Sequence, residues 1–240
     1  MIVKRLLTSC LAVVMTISLI PAGVFADETA EPEQKQAAVV AKLGTPSPVK
    51  DSGKCGAHLN WVLDNGKLTI SGYGNMYNYS SSKLPDWNKY KGVITSVSLG
   101  GAKSIGSYAF AGFSKLTSIS IGSYVTSIGK CAFYGCSGLT KVSGGSKVKT
   151  IGSNAFKNCK KLYSFTITSK KLKKIGSYAF YNCSSLKTIT IKNTTKLTRK
   201  GVKKSLKGSS VKKVKVKKSK KLLYSIYFLK KNSGKKVKVK

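Results

Sequence analysis

Residues 175–191 read IGSYAFYNCSSLKTITI, and this stretch decides the fold because its pattern recurs along the chain. The segment that ends in Ala-Phe begins at Ile105, Ile128, Ile151 and Ile175, in steps of 23, 23 and 24 residues. Each copy is followed by a leucine and a short stretch in which apolar and polar residues alternate. Two degenerate copies flank these four, with apolar residues at Ile94, Val97 and Leu99 before them and at Val211, Val214 and Val216 after them.

A period in the low twenties with the pattern L-x-x-I-x-I is typical of a leucine-rich-repeat solenoid. The two Ile residues of a copy stand two positions apart, so both enter the core from one face of a strand. The glycine after the first Ile is expected to permit the turn that folds the chain back, and Phe fills the core from a short helical or 3-10 turn. One copy cannot bury its own apolar face, so the copies must stack.

Three cysteines recur at the same period. Cys136, Cys159 and Cys183 each stand three residues after the Phe and three before the Leu. This spacing predicts a buried ladder in which Cys acts as a small apolar filler. A thiolate metal site and disulfides between neighbouring repeats are the alternatives.

The repeats resemble the BspA-type leucine-rich repeats of bacterial surface proteins, and the resemblance covers roughly residues 53–240. It includes an N-terminal piece with Gly53-Lys-Cys55-Gly56, Trp61-Val-Leu and Gly66-Lys-Leu-Thr-Ile70. Asn65-Gly66 between two alternating stretches predicts a β-hairpin, with Trp61 covering the open end of the core and a short helix running from Pro85 toward Tyr90. The resemblance implies an adhesion or ligand-binding module.

The expected organisation is therefore a solenoid with parallel β-strands on its concave face, short helical or 3-10 turns, an N-terminal hairpin cap and a C-terminal helical cap. The predicted segments are a signal peptide (1–26), a disordered linker (27–52), the N-terminal cap (53–92), about six repeats of which the last is degenerate (93–217) and the C-terminal cap (218–240). An uncleaved membrane anchor is the alternative for the first segment, and a membrane-binding amphipathic helix for the last. We expect a secreted or cell-surface protein with no transmembrane segment in its mature form.

The net charge of the chain and its lack of catalytic side-chain pairs limit the classes of function that the sequence allows. The chain has 44 Lys and Arg against 7 Asp and Glu, a net charge of +37, and all seven acids precede residue 87. A lone histidine, His58, and an acid-free repeat region offer no acid–base pair for catalysis, although Cys55 and His58 could be imagined as nucleophile and base. We therefore expect a protein that is not an enzyme and needs no cofactor.

The outward positions of the repeat strands change from small hydroxyls to lysine along the array. They predict a binding patch made by Lys141, Lys192, Lys213, Lys215 and Lys217, although a merely solvated face is the alternative. The expected partners are an extracellular protein or an anionic polysaccharide or wall polymer. Specific nucleic-acid recognition is not expected, because nearly all the cations are lysine and bidentate base contacts favour arginine.

Overall fold

A computed structural model describes residues 50–191, 197, 202, 204–216 and 238–239. Its helical element is a 3-10 helix over Asp86–Tyr90, where the sequence predicted a short helix. Its strands are β1 Lys50–Gly56, β2 Leu59–Asp64, β3 Lys67–Asn75, β4 Ser96–Ser98, β5 Gly101–Ile105, β6 Ser118–Ile121, β7 Ser127–Ile128, β8 Lys141–Gly144, β9 Thr150–Ile151, β10 Ser164–Ile167, β11 Lys174–Ile175, β12 Thr188–Ile191, β13 Lys213–Val216 and β14 Lys238–Val239.

Some predicted segments lie wholly or mainly outside these residues. The signal peptide over 1–26 is one, and most of the linker over 27–52 is another. The helical cap predicted over 218–240 gains no support from the described residues, which contain only the short strand β14 in that range.

The N-terminal cap is a three-stranded antiparallel unit. The predicted hairpin is formed by β2 and β3, with Asp64 opposite Lys67, and both turn residues, Asn65 and Gly66, have positive φ as a tight hairpin turn requires. β1 pairs with β2 on the outside. Because β1 begins at Lys50, the last three residues predicted as linker belong to the sheet.

Two parallel sheets run along the stacked repeats, where the sequence analysis anticipated one. The expected sheet contains β6, β8, β10, β12, β13 and β14 in that order. The second continues from β3 through β5, β7, β9 and β11, and it is built from the Ile residues that open each repeat. Its strands in the last three of these repeats are only two residues long, too short for any alternation to show in the sequence.

The Ala-Phe segments at residues 105–186 form the third side of each repeat as hydrogen-bonded turns rather than the expected helical or 3-10 turns, whereas Val202 in the last described repeat has 3-10 geometry. Two backbone positions per turn have positive φ; the first is occupied by Tyr108, Cys131, Asn154, Tyr178 and Lys204. This left-handed conformation is uncommon for residues other than glycine. Hydrogen bonds between repeats offset its cost: the N–H groups of Phe110, Phe133 and Phe156 each donate to the alanine carbonyl of the next repeat at 2.8–2.9 Å.

The core is a column of like residues. The rings of Phe110, Phe133, Phe156 and Phe180 stack with centroids 5.3, 5.2 and 5.7 Å apart. Trp87 continues the column toward the cap at 6.1 Å from Phe110, and Trp61 meets Trp87 edge to face. Both tryptophans are buried, so Trp61 lies at the end of the core as predicted, together with a second tryptophan that the sequence analysis did not assign.

The glycine that recurs after the first Ile of each repeat has a different role from the one expected. Gly129, Gly152 and Gly176 are not among the glycines with positive φ, so turn geometry does not require them. Instead, a Cβ on Gly152 would come 2.5 Å from the carbonyl carbon of Gly129. Glycine is needed because neighbouring backbones approach too closely for any side chain.

The 24-residue repeat accommodates its additional residue between β10 and β11. Seven positions separate Ile167 from Lys174, against six between the corresponding residues of the two preceding repeats. Ser169 in this loop is buried, and its hydroxyl accepts the N–H of Lys171 at 2.9 Å. The loop therefore closes locally and the strands on both sides keep their register.

Replacing Gly152 with Ala should destabilise the protein by about 3 kcal/mol, because the new methyl group must push two stacked backbones apart. Gly92→Ala is the matched control: its Cβ would meet nothing within 4 Å, so we expect a change within about 0.5 kcal/mol. Urea unfolding followed by circular dichroism measures both. Equal midpoints for the two variants would contradict the close-approach explanation.

Candidate functional site

The strand face is the solvent side of β6, β8, β10, β12 and β13. Every second residue of these strands enters the core. The buried residue that lies between the two outward residues of each strand is, in order, Ile119, Val142, Phe165, Ile189 and Val214. The residues between them are hydroxyl side chains and lysines that are exposed or half-buried. A two-residue period therefore gives one apolar side and one polar side.

Parallel pairing aligns the outward residues into two rows. The first row contains Ser118, Lys141, Ser164, Thr188 and Lys213. The second is paired in two parts, Ser120 with Ser143 and Thr166 with Thr190 and Lys215. The pairing of Val142 with Phe165 brings the two parts into line. Within each row, neighbouring backbones are spaced at about 4.8 Å, so a ligand lying across the strands would meet one hydroxyl or ammonium group per repeat.

The predicted lysines are only partly brought together. Lys213 and Lys215 lie on one strand, side by side in the two rows, and repulsion between them favours an anionic ligand there. Lys141 is exposed on β8 but stands three strands away, roughly 14 Å along the sheet, between Ser118 and Ser164. Lys192 and Lys217 lie outside the described residues.

Two further positions differ from the expected face. Gly145 stands two residues after Ser143, where the alternation alone predicts an outward position, but it is buried and has a φ of 67°, because β8 ends at Gly144 and the chain turns inward. Beyond β13 the sheet gains one more strand, in which Lys238 of β14 pairs in register with Lys213. The alternation of Lys and Val at 236–239, which matches 213–216, is the sequence pattern that predicts this last strand.

The cysteine ladder is buried as predicted. Cys136, Cys159 and Cys183 are fully buried and carry free thiols. Each thiol donates to the carbonyl of a phenylalanine in the preceding repeat, at 3.0–3.1 Å, with Phe110, Phe133 and Phe156 as the acceptors. The cysteines thus link successive repeats, a role beyond that of apolar filler. Burial raises the pKa of Cys183 to about 12.

The cap cysteine and the histidine are not arranged for nucleophilic catalysis. Cys55 is buried, and burial raises the pKa of its thiol to about 12, so the thiol stays protonated at neutral pH. The His58 ring stacks on the exposed Tyr73 with centroids 4.8 Å apart. A protonated thiol is a poor nucleophile, which agrees with a structural role for Cys55.

The described residues contain neither a cluster of metal-ligating side chains nor a membrane-spanning helix. No group of three or more His, Cys, Asp or Glu side chains that could hold a metal ion occurs in the described part of the chain. None of the helical residues described belongs to a helix that is long and apolar enough to cross a bilayer.

Comparison with known proteins gives a consistent result. Residues 103–234 match the BspA type leucine rich repeat region in six copies. The solved structure of a leucine-rich repeat protein from Eubacterium ventriosum is similar, with 29% identity and a TM-score of 0.56 over 70% of this chain and 44% of that one. Leucine-rich repeat proteins of T. pallidum (20% identity, TM-score 0.41, 62% of this chain and 64% of that one) and Bacteroides ovatus (18%, 0.40, 72% and 58%) are more distant.

This chain thus spans less than half the length of the Eubacterium protein. Among curated proteins no significant match was found.

The ladder thiols should label slowly in the native protein. At pH 8 we expect an aromatic disulfide reagent to modify Cys136, Cys159 and Cys183 about a hundredfold more slowly than in guanidinium, because all three thiols are fully buried. Absorbance of the released reagent measures the rate, and mass spectrometry of tryptic peptides assigns the sites. Native labelling as fast as in the unfolded chain would contradict the buried ladder.

Proposed function

The chain belongs to the BspA-type leucine-rich-repeat family, and from this premise we propose that it is a non-enzymatic binding module that acts outside the cell, at or near a surface. Leucine-rich repeats of this bacterial type suggest a protein-binding or adhesion module. The N-terminal sequence supports export, because a positive start and an apolar stretch precede Val24-Phe25-Ala26.

The strand face is the proposed binding surface. The observation that carries this proposal is the register of β6 to β13, which arranges ten outward residues in two straight polar rows over an apolar core. The surface is rigid, because β8, β10, β12 and β13 are each fixed by backbone hydrogen bonds to two neighbouring strands, and rigid surfaces bind with less loss of conformational entropy.

The chemistry of the rows indicates the partner. Hydroxyl side chains in the first repeats can both donate and accept hydrogen bonds, whereas Lys213 and Lys215 at the far end only donate and carry charge. An extracellular protein or an anionic polymer, held at its acidic part by the lysine end, fits this gradient. Lys192 and Lys217, by their sequence positions, would extend the same patch.

A general polyanion binder is the second candidate, and one observation favours it. From Trp87 to Lys240 the chain has 36 Lys and Arg and no carboxylate side chain. Such a region attracts any polyanion, including cell-wall polymer, glycosaminoglycan and non-specific nucleic acid, and could hold the protein at an anionic cell surface by charge alone.

A charge-matched pair of variants separates a localised site from a diffuse cationic coat. We expect Lys141→Ser, Lys213→Ser and Lys215→Ser together to weaken binding of polyglutamate about tenfold or more. The control replaces Lys103, Lys149 and Lys173 with Ser; these are exposed lysines at the second sheet, with Lys103 on β5 and Lys149 and Lys173 directly before β9 and β11, and their loss should cost about threefold or less. Isothermal titration at about 50 mM and about 200 mM salt measures both, and the affinity should fall steeply with salt.

Equal losses for the two triple variants would leave a diffuse coat and favour the second candidate. Unchanged binding by both would place the site elsewhere on the chain.

A further inference from the structure

The third side of the repeats carries a second ordered surface. The position directly after the core Phe, or after Leu206 in the last described repeat, is exposed or half-buried in every repeat. We call this row the turn column; its members are Ala111, Tyr134, Lys157, Tyr181 and Lys207. From Tyr134 onward, aromatic and cationic side chains alternate from one repeat to the next.

Contacts within the turn column fix the aromatic rings and the cations against one another. The Lys157 ammonium lies over two rings, 5.8 Å from the centroid of Tyr134 and 5.1 Å from that of Tyr181. Tyr181 also packs on the backbone of Gly208, where a Cβ would collide with the ring. Both tyrosines nevertheless keep 37% and 38% of their surface exposed, so the rings are positioned and remain accessible.

A chain of side-chain hydrogen bonds orients one polar group of this surface. The amide nitrogen of Asn182 donates to the amide oxygen of Asn158 at 3.0 Å. The amide nitrogen of Asn158 donates to the hydroxyl oxygen of Tyr134 at 3.3 Å. Because the Tyr134 oxygen accepts in this chain, its own proton is the group left to donate to a ligand.

The repeat before Tyr134 leaves open space beside it. Ala111 occupies the turn column there, and a Cβ on the next residue, Gly112, would meet only the side chain of Lys91, at 3.9 Å. A ring-shaped ligand unit can therefore pack against Tyr134 over a floor of two small residues, with Lys91 on one side and Lys157 on the other.

We propose that the turn column binds an anionic polysaccharide, with sugar rings packed against Tyr134 and Tyr181 and acidic groups paired with Lys91, Lys157 and Lys207. Tyr134 and Tyr181 stand two repeats apart, roughly 10 Å along the stack. A polymer in which charged and uncharged sugars alternate meets a cation and a ring in the same order. This surface is separate from the strand face.

Other polymers fit this surface less well. Single-stranded nucleic acid carries a charge on every unit and is bound through successive stacked bases, whereas here a lysine separates the two rings. A folded protein partner would need apolar contact area, and the turn column contains one alanine and no larger aliphatic side chain. Acidic sugars need only ring faces and ammonium groups, which this surface has.

Hyaluronate oligosaccharides, in which an acidic and a neutral sugar alternate, are the probe. We expect Tyr134→Ala with Tyr181→Ala to raise the Kd about tenfold, the loss expected for two aromatic contacts. The control removes Tyr124 and Tyr163, which are 56% and 59% exposed and lie outside the column; Tyr124 also has a lysine, Lys147, over its ring at 5.1 Å. The control should change the Kd less than twofold. Neither double variant changes the net charge.

A second variant tests the cation. Lys157→Met keeps the aliphatic part of the side chain, and it should raise the Kd for hyaluronate more than Lys147→Met does. Thermal unfolding of each variant checks that the fold is retained. Equal effects of the two lysine variants would overturn the proposal.

Three further outcomes would also overturn it. The first is an equal loss in the two tyrosine variants. The second is polyglutamate binding as tight as hyaluronate and equally sensitive to the column variant. The third is tighter binding of a single-stranded oligothymidylate than of hyaluronate. Loss of hyaluronate binding in the strand-face triple variant alone would place the ligand on the strand face, so this inference can fail while the proposed function stands.

Discussion

The constraint on which this structure depends is the spacing of about 5 Å between stacked repeats. The core Phe rings are 5.2–5.7 Å apart, so each inner side chain packs directly against those of the repeats above and below it. The same close stacking brings the backbones of the recurring glycines almost into contact. It also lets the cysteine thiols reach carbonyl groups of the preceding repeat. Stability in such an array is a sum over neighbouring contacts, which explains why two tryptophans cover the end where the first repeat has no neighbour.

The same constraint leaves the outward positions free to differ. A strand residue on the solvent side needs only to tolerate its neighbours, so Ser, Thr and Lys succeed one another along the strand face. On the turn side, the inward Ala and Phe recur almost unchanged while the next position passes from Ala to Tyr to Lys. Binding surfaces in this architecture are consequently columns one residue wide, and each repeat contributes a single side chain to each column.

Sequence periodicity predicted the features that depend on spacing alone. The strand register, the buried cysteines, the hairpin at Asn65-Gly66 and Trp61 at the end of the core all follow from residue type and period. The second sheet did not, because two-residue strands show no alternation. The turns were expected to be helical or 3-10, because residue types such as Tyr108 and Lys204 do not predict a positive φ. The glycines were identified correctly but explained wrongly, because close approach of two backbones is a property of the stack. Gly145 departs from the alternation for a related reason, because it lies just beyond the end of β8.

The loop between β10 and β11 shows how this chain tolerates changes in length. One additional residue there is absorbed by a local hydrogen bond to Ser169, and the next repeat resumes in register. A whole additional repeat would be accommodated even more readily, because its neighbours on both sides would present the surfaces they already present to each other. Gene duplication within the array would therefore lengthen the protein by whole units without redesign, adding one more hydroxyl or ammonium group to every column. The length of the solenoid and the number of binding groups in each column could therefore increase one repeat at a time, while the two ends stayed the same.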